Sequence, residues 1–107
     1  MTIAARFVLK ALERLSVGRL ILHLPDGTTH RFGSEGARPE AELHVRDLRF
    51  FRRVLVDGDI GFAEAYMEGL CDTPDLPGLI ALLADNEKSL GRMAHTNPLH
   101  DLSLIHI

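Results

Sequence analysis

The side chains of this chain whose types can do chemistry are six histidines, one cysteine, and two glutamates set one helical turn apart. His23 and His44 fall at polar positions of two predicted strands and can share one strand face. Two imidazoles so placed invite a divalent ion, but no third ligand is evident and the His-x-x-x-His helical spacing of a zinc motif is absent. Unligated histidines are the commoner arrangement, so no metal ligand is assigned. His30 falls on the opposite, inner face, as a hydrogen-bonded residue at the edge of the core. Cys71 needs a neighbouring cation or base to act as a thiolate; Glu68, Asp72 and Asp75 instead raise its pKa, and it reads as a small, partly buried hydrophobe. Glu64 and Glu68 stand at i and i+4, where like charges mark a solvated face more often than an acid–base pair. No nucleophile–base pair and no phosphate loop is recognisable, so no catalytic residue is assigned.

Charge is unevenly distributed. Arg46, Arg49, Arg52 and Arg53 cluster around one predicted helix start, whereas residues 57–75 hold Asp57, Asp59, Glu64, Glu68, Asp72 and Asp75 with no Lys or Arg. Arg49, Arg52 and Arg53 are therefore candidate contacts for anionic phospholipid headgroups or for the acidic surface of a partner domain. Ordinary solvated helix faces explain the pattern about as well.

These side chains need elements to hold them. Thr2 to Leu15 reads as an amphipathic helix, with Ile3, Phe7, Val8, Ala11, Leu12 and Leu15 on one face. Arg19 to Gly33 reads as a β-hairpin turned by Pro25-Asp26-Gly27. Its three-residue loop sets Leu24 opposite Thr28, Leu22 opposite His30 and Leu20 opposite Phe32. Ala41 to Arg46 reads as a third strand with Leu43 and Val45 inward, so that two or three strands run antiparallel. Asp47 is the predicted N-cap of a helix over Leu48–Val56 that ends at Gly58 and carries the core pair Phe50-Phe51. A short helix over Ile60–Glu68 follows, from Asp59 to Gly69. Thr73, with Pro74 after it, is the predicted cap of a last helix whose face is Leu76, Leu79, Ile80 and Leu83 and which fades near Asn86. The fold class is thus α+β: an N-terminal helix, an antiparallel β-hairpin plus a third strand, then three short helices.

Composition narrows the function classes. The 107 residues allow one domain with one modest core. A net charge of −3, no Trp, one Tyr and five Phe give neither the basic surface nor the stacking platform of a nucleic-acid binder. A single cysteine excludes an internal disulfide and fits a reducing cytoplasm. Arg6 and Lys10 interrupt the first apolar run, which is therefore not a signal peptide. No stretch approaches the ~20 apolar residues of a membrane span.

Three pieces carry a resemblance: GRLILHLPDGTTHRFG (18–33), AELHVRDLRFFRRVLVDGDIGFAEAYMEG (41–69) and DTPDLPGLIALLADN (72–86). In that order and at those spacings they resemble the N-terminal domain of the cyclopropane-fatty-acyl-phospholipid synthases and related S-adenosylmethionine-dependent lipid methyltransferases. The resemblance implies a non-catalytic accessory domain over residues 1–86. Its partner would be a C-terminal methyltransferase domain that binds S-adenosylmethionine, a cofactor this stretch does not bind itself. The implied setting is cytoplasmic, peripheral at the inner membrane. One position departs: Leu70-Cys71 stands where the family has a polar residue and then Trp. A weaker similarity, through Asp47, Gly58, Asp59, Ala65, Tyr66 and Gly69, is to sterol-carrier-like lipid-binding domains, and adds Tyr66 to the candidate lipid or domain-interface residues. A free-standing lipid-binding module and a protein-interaction domain are the alternatives. Residues 87–101 read as the start of a linker. The last six, LSLIHI (102–107), match the translation of a transposon mosaic-end sequencing adapter, which makes the frame that of a truncated gene fragment.

Overall fold

The computed structural model describes residues 2–90. The adapter reading of 102–107 lies outside the described residues. In chain order the elements are α1 (Ile3–Leu12), β1 (Arg19–His23), β2 (Thr29–Gly33), β3 (Glu40–Val45), α2 (Arg49–Met67), β4 (Cys71–Asp72) and α3 (Leu76–Asp85). The fold is α+β. The strands form one mixed sheet in the order β2-β1-β3-β4.

The hairpin has the expected register, Leu20 opposite Phe32 and Leu22 opposite His30. Leu24 and Thr28 close the loop through a 2.9 Å backbone bond, and Asp26 secures it by accepting from the Thr28 N–H and hydroxyl. Only the hairpin and β4 pair antiparallel; the third strand, whose direction the sequence left open, runs parallel to β1, pairing Leu22 with Leu43 and His23 with His44. The reason lies in the return loop, residues 34–39. It crosses the start of β1, where the Arg19 N–H donates to the Pro39 carbonyl at 2.9 Å. A Cβ on Gly18 would collide with the Pro39 carbonyl and the Leu82 side chain, and one on Gly33 with the Gly18 carbonyl. Only glycines allow three backbones to meet there. The two-residue β4 then pairs antiparallel with the end of β3, Val45 with Cys71 and His44 with Asp72.

Alternation along the strands separates two faces. Leu20, Leu22, Leu43 and Val45 are buried with the helices, beneath Phe51, Leu55, Leu79 and Leu82. Cys71, where the resembled family has Trp, is buried in the same core.

The helices shift several boundaries. α1 starts at its cap Thr2, whose hydroxyl accepts from the Ala5 N–H at 3.1 Å. It buries Ala5, Val8 and Leu12, and leaves Ile3 and Phe7 exposed. The expected face was thus turned too far toward Ile3 and Phe7. α2 comprises the two expected helices, joined through a break at Gly58 (φ 57°, ψ −127°). Its halves fold against each other so closely that a Cβ on Gly61 would strike the Arg53 carbonyl. At Gly69 the helix ends in a left-handed turn, with Gly69 N–H to Tyr66 O (3.1 Å) and Leu70 N–H to Ala65 O (2.9 Å).

The cap of α3 is Asp75, not Thr73. Asp75 Oδ1 accepts from the Gly78 N–H at 3.1 Å, while the Thr73 hydroxyl donates to the Glu42 carbonyl at 2.6 Å. Thr73 is thereby committed to the sheet, and the helix begins two residues later than expected. Its buried residues are Leu79 and Leu82; Ile80, expected on that face, is exposed.

Asn86 is the only buried polar residue among those described. Its Oδ1 accepts from the N–H groups of Ser16 and Val17, both at 2.9 Å, and its Nδ2 donates to the carbonyls of Val17 (2.8 Å) and Leu82 (2.9 Å). Every hydrogen-bonding site that matters is filled, which makes burial of the amide tolerable. Residues 87–90, expected as the start of a linker, are helical, and Leu90 packs against the core.

Candidate functional site

Between the sheet and the helices lies an apolar groove of about 590 Å³. Leu20, Leu22 and Leu43 form its floor, Phe50 and Phe62 one wall, Leu79 and Leu83 the other. The floor is buried, but Met67 and Ile80 line the groove while 76% and 53% exposed, so it opens between the second half of α2 and α3. Its ionisable lining residues are Asp59, Tyr66 and Glu87. Volume and lining fall within the range of small-molecule sites. No Ser, Thr, Cys, Lys or His is among its lining residues, and the arrangement can hold an apolar chain.

Of the four candidate contact residues, the structure brings only Tyr66 to this groove. The three arginines sit outside it. Arg49 is engaged by Asp47, whose carboxylate accepts from the guanidinium at 2.9 Å and from the Arg49 N–H at 2.9 Å. Those bonds hold the Asp47 carboxyl below the usual carboxylate range. Arg53 makes a two-pronged bond to Glu68, at 2.6 and 2.9 Å, which lowers the Glu68 pKa in the same way. Glu68 is therefore tied across the α2 hairpin, and Glu64 is exposed. Arg52 is exposed and has no ion pair among the described residues. The basic cluster is largely internally neutralised: Arg46 by Asp72 beside the sheet, Arg49 by its near neighbour Asp47, and Arg53 by Glu68 across the α2 fold-back.

The opposite face of the sheet holds the two histidines considered from sequence. Parallel pairing sets His23 directly beside His44, with rings stacked at 4.3 Å and 12°. Glu42, two residues before His44 on the same face, supplies what sequence reasoning missed. Its Oε2 lies 3.3 Å from His44 Nε2 and 3.6 Å from His23 Nε2. The signal was present as Glu-x-His spacing along one strand, but its meaning depended on the parallel partner. Cys71 faces the core instead. Burial pushes its thiol up to about 11, Asp72 adding to the effect and Arg46 opposing it. The expected acidic influence of Asp72 is present but secondary to desolvation. Among the described residues no helix is long and apolar enough to cross a membrane. No family model, curated protein or solved structure matches the chain.

Proposed function

We propose that this chain is a lipid-handling accessory domain of a cyclopropane-fatty-acyl-phospholipid-synthase-like methyltransferase. In this reading the groove between α2 and α3 receives a lipid acyl chain, and a partner domain carrying S-adenosylmethionine performs the chemistry. The observation that carries it is the apolar groove, whose floor is sheet leucines and whose rim is Met67, Tyr66 and Ile80. An acyl chain gains roughly 0.8 kcal/mol for each methylene it buries, so even partial insertion yields useful binding. Asp59 and Glu87 make the lining mildly acidic, which disfavours an anionic headgroup there and leaves the groove to the chain itself. Ile3 and Phe7, exposed on α1, offer apolar surface for the partner domain. The family part of this proposal rests on the three sequence pieces quoted above.

The test is displacement of an apolar fluorophore from the purified chain by fatty acids and lysophospholipids. Ala63 and Ala84 line the groove at exposed positions, so Ala63→Trp and Ala84→Trp should fill it without disturbing the core. Saturable acyl-chain binding that both substitutions abolish is the expected outcome. Absence of binding by the wild-type chain, or binding indifferent to both substitutions, overturns the acyl-chain reading.

A further inference from the structure

The geometry points to a divalent transition-metal site, of zinc type, formed by His23, Glu42 and His44 on the sheet face opposite the groove. It is independent of the acyl-chain reading, because alternate residues of β1 and β3 face opposite sides.

The argument begins with distances. A tetrahedral ion with bonds of about 2.0–2.2 Å separates its ligand atoms by about 3.3–3.6 Å. The Glu42 oxygen stands 3.3 Å from one imidazole Nε2 and 3.6 Å from the other, so two edges of that tetrahedron already exist. All three ligand atoms lie within 4.8 Å of one another. The remaining edge closes when the stacked rings tilt toward a common centre. That motion is open to them, because the side chains of His23 and His44 are 33% and 46% exposed.

Position and orientation are set by the fold. His23 and His44 are register partners of a parallel pair, and Glu42 is one pleat away on the same strand. Behind His23, its Nδ1 lies 3.2 Å from the Thr29 hydroxyl on β2. With the proton on Nδ1 donated to Thr29, the Nε2 lone pair is left facing Glu42. Such an outer hydrogen bond fixes the tautomer of metal-ligating histidines. Arg46 lines the same surface hollow but is paired with Asp72 at 3.0 Å, which offsets its charge toward a bound ion.

Ligand chemistry selects the ion. Two imidazoles and one carboxylate suit Zn2+, Cu2+ or Ni2+; they do not suit Mg2+ or Ca2+, which prefer oxygen cages. Three protein ligands leave a fourth position for water or an exogenous donor. Solvent exposure makes the site exchangeable.

The experiment is calorimetric titration of the untagged chain with Zn2+ near neutral pH, repeated with Co2+ to read four-coordinate geometry from its visible absorption. Two single variants, His23→Gln and His44→Gln, remove ligands on an exposed face and leave the core intact, as circular dichroism will verify. A combined variant replaces His30, His95, His100 and His106 with Gln and keeps the site. Wild type and combined variant should each bind one ion, and each single variant should lose affinity by more than about tenfold. Millimolar Mg2+ should not compete. The proposal is overturned by absence of one-ion binding in the wild type, by its survival in His23→Gln or His44→Gln, or by its loss in the combined variant.

Discussion

Replacing Asn86 with Ala should be among the most damaging single changes available outside the apolar core. The amide is 1% exposed and holds the turn between α1 and β1 to the end of α3. Alanine removes the acceptor for two adjacent N–H groups, Ser16 and Val17, and the donor to the Val17 and Leu82 carbonyls. A buried group left unpaired costs about 1–3 kcal/mol, and carbonyls tolerate it better than N–H groups. Ser16 and Val17 lie near the surface, so water recovers part of the loss, and about 3 kcal/mol is the expected net. For a domain of this size that lowers Tm by roughly 12–24 °C. Urea unfolding followed by circular dichroism measures it. Asn86→Asp is the companion variant. It keeps the acceptor for the Ser16 and Val17 N–H groups, but at neutral pH its second carboxylate oxygen faces the Val17 and Leu82 carbonyls in a buried site. The folded protein then favours the protonated acid, which can still donate. Its folded pKa is raised, so the variant's relative stability is fullest below the unfolded carboxylate value and declines as pH rises through the folded one. A loss below about 1 kcal/mol for Asn86→Ala, the scale of an ordinary substitution, would refute the view that this amide fastens the two ends of the fold.

Gly61→Ala should destabilise by roughly 1–3 kcal/mol, since its methyl group meets the backbone of Arg53, which cannot rotate away as a side chain could; chemical denaturation reads this, and a neutral result would mean the α2 halves pack more loosely. The Cys71 thiol, held up to about 11 against about 8.5 when unfolded, favours the folded state in its protonated form. That contribution is complete below the unfolded value and is lost as pH rises through the folded one, so stability should slope downward across this window in the wild type and less so in Cys71→Ala. Calorimetry should detect no stoichiometric binding of S-adenosylmethionine to this chain, and tight binding would contradict its assignment as an accessory domain. Replacing Arg49, Arg52 and Arg53 together with Gln should leave acyl-chain binding unchanged, because none of them lines the groove; a loss measured by fluorophore displacement would move the lipid contact to that surface.

What was legible in the sequence was what local pattern encodes. The hairpin register followed from Pro25-Asp26-Gly27 and the alternation around it, and the break at Gly58 and the stop at Gly69 from glycines at helix ends. The direction of β3 was not legible. It is decided where Gly18 meets Gly33 and Pro39, a tertiary contact, and side chains alternate with the same period of two in parallel and antiparallel strands. The His23–Glu42–His44 cluster was hidden for the same reason: two of its members were visible, but only parallel pairing makes them adjacent. β4 is too short to leave a periodic signature. Thr73 and Asp75 are both good caps, and the choice between them was made by the carbonyl of Glu42, which lies 31 residues away. Asn86 read as the polar end of a fading helix because nothing nearby shows what it will bond.

The hydroxyl of Thr73 also bears on how this protein behaves in a crowd of its own copies. An open strand margin is a template on which another chain can add itself, and proteins that remain dispersed must blunt it. β3 is longer than the two-residue β4 beside it, which leaves much of its outer margin without a strand partner. Thr73 occupies the Glu42 carbonyl on that margin, and the charged flanks Glu40 and Arg46 discourage a flat, apolar approach. At the other margin β2 presents the exposed Arg31 and ends in Gly33, in a backbone conformation that a continuing strand cannot extend. Each border of the sheet thus carries small local features that discourage recruitment of another strand, set by the same few residues that shape the fold.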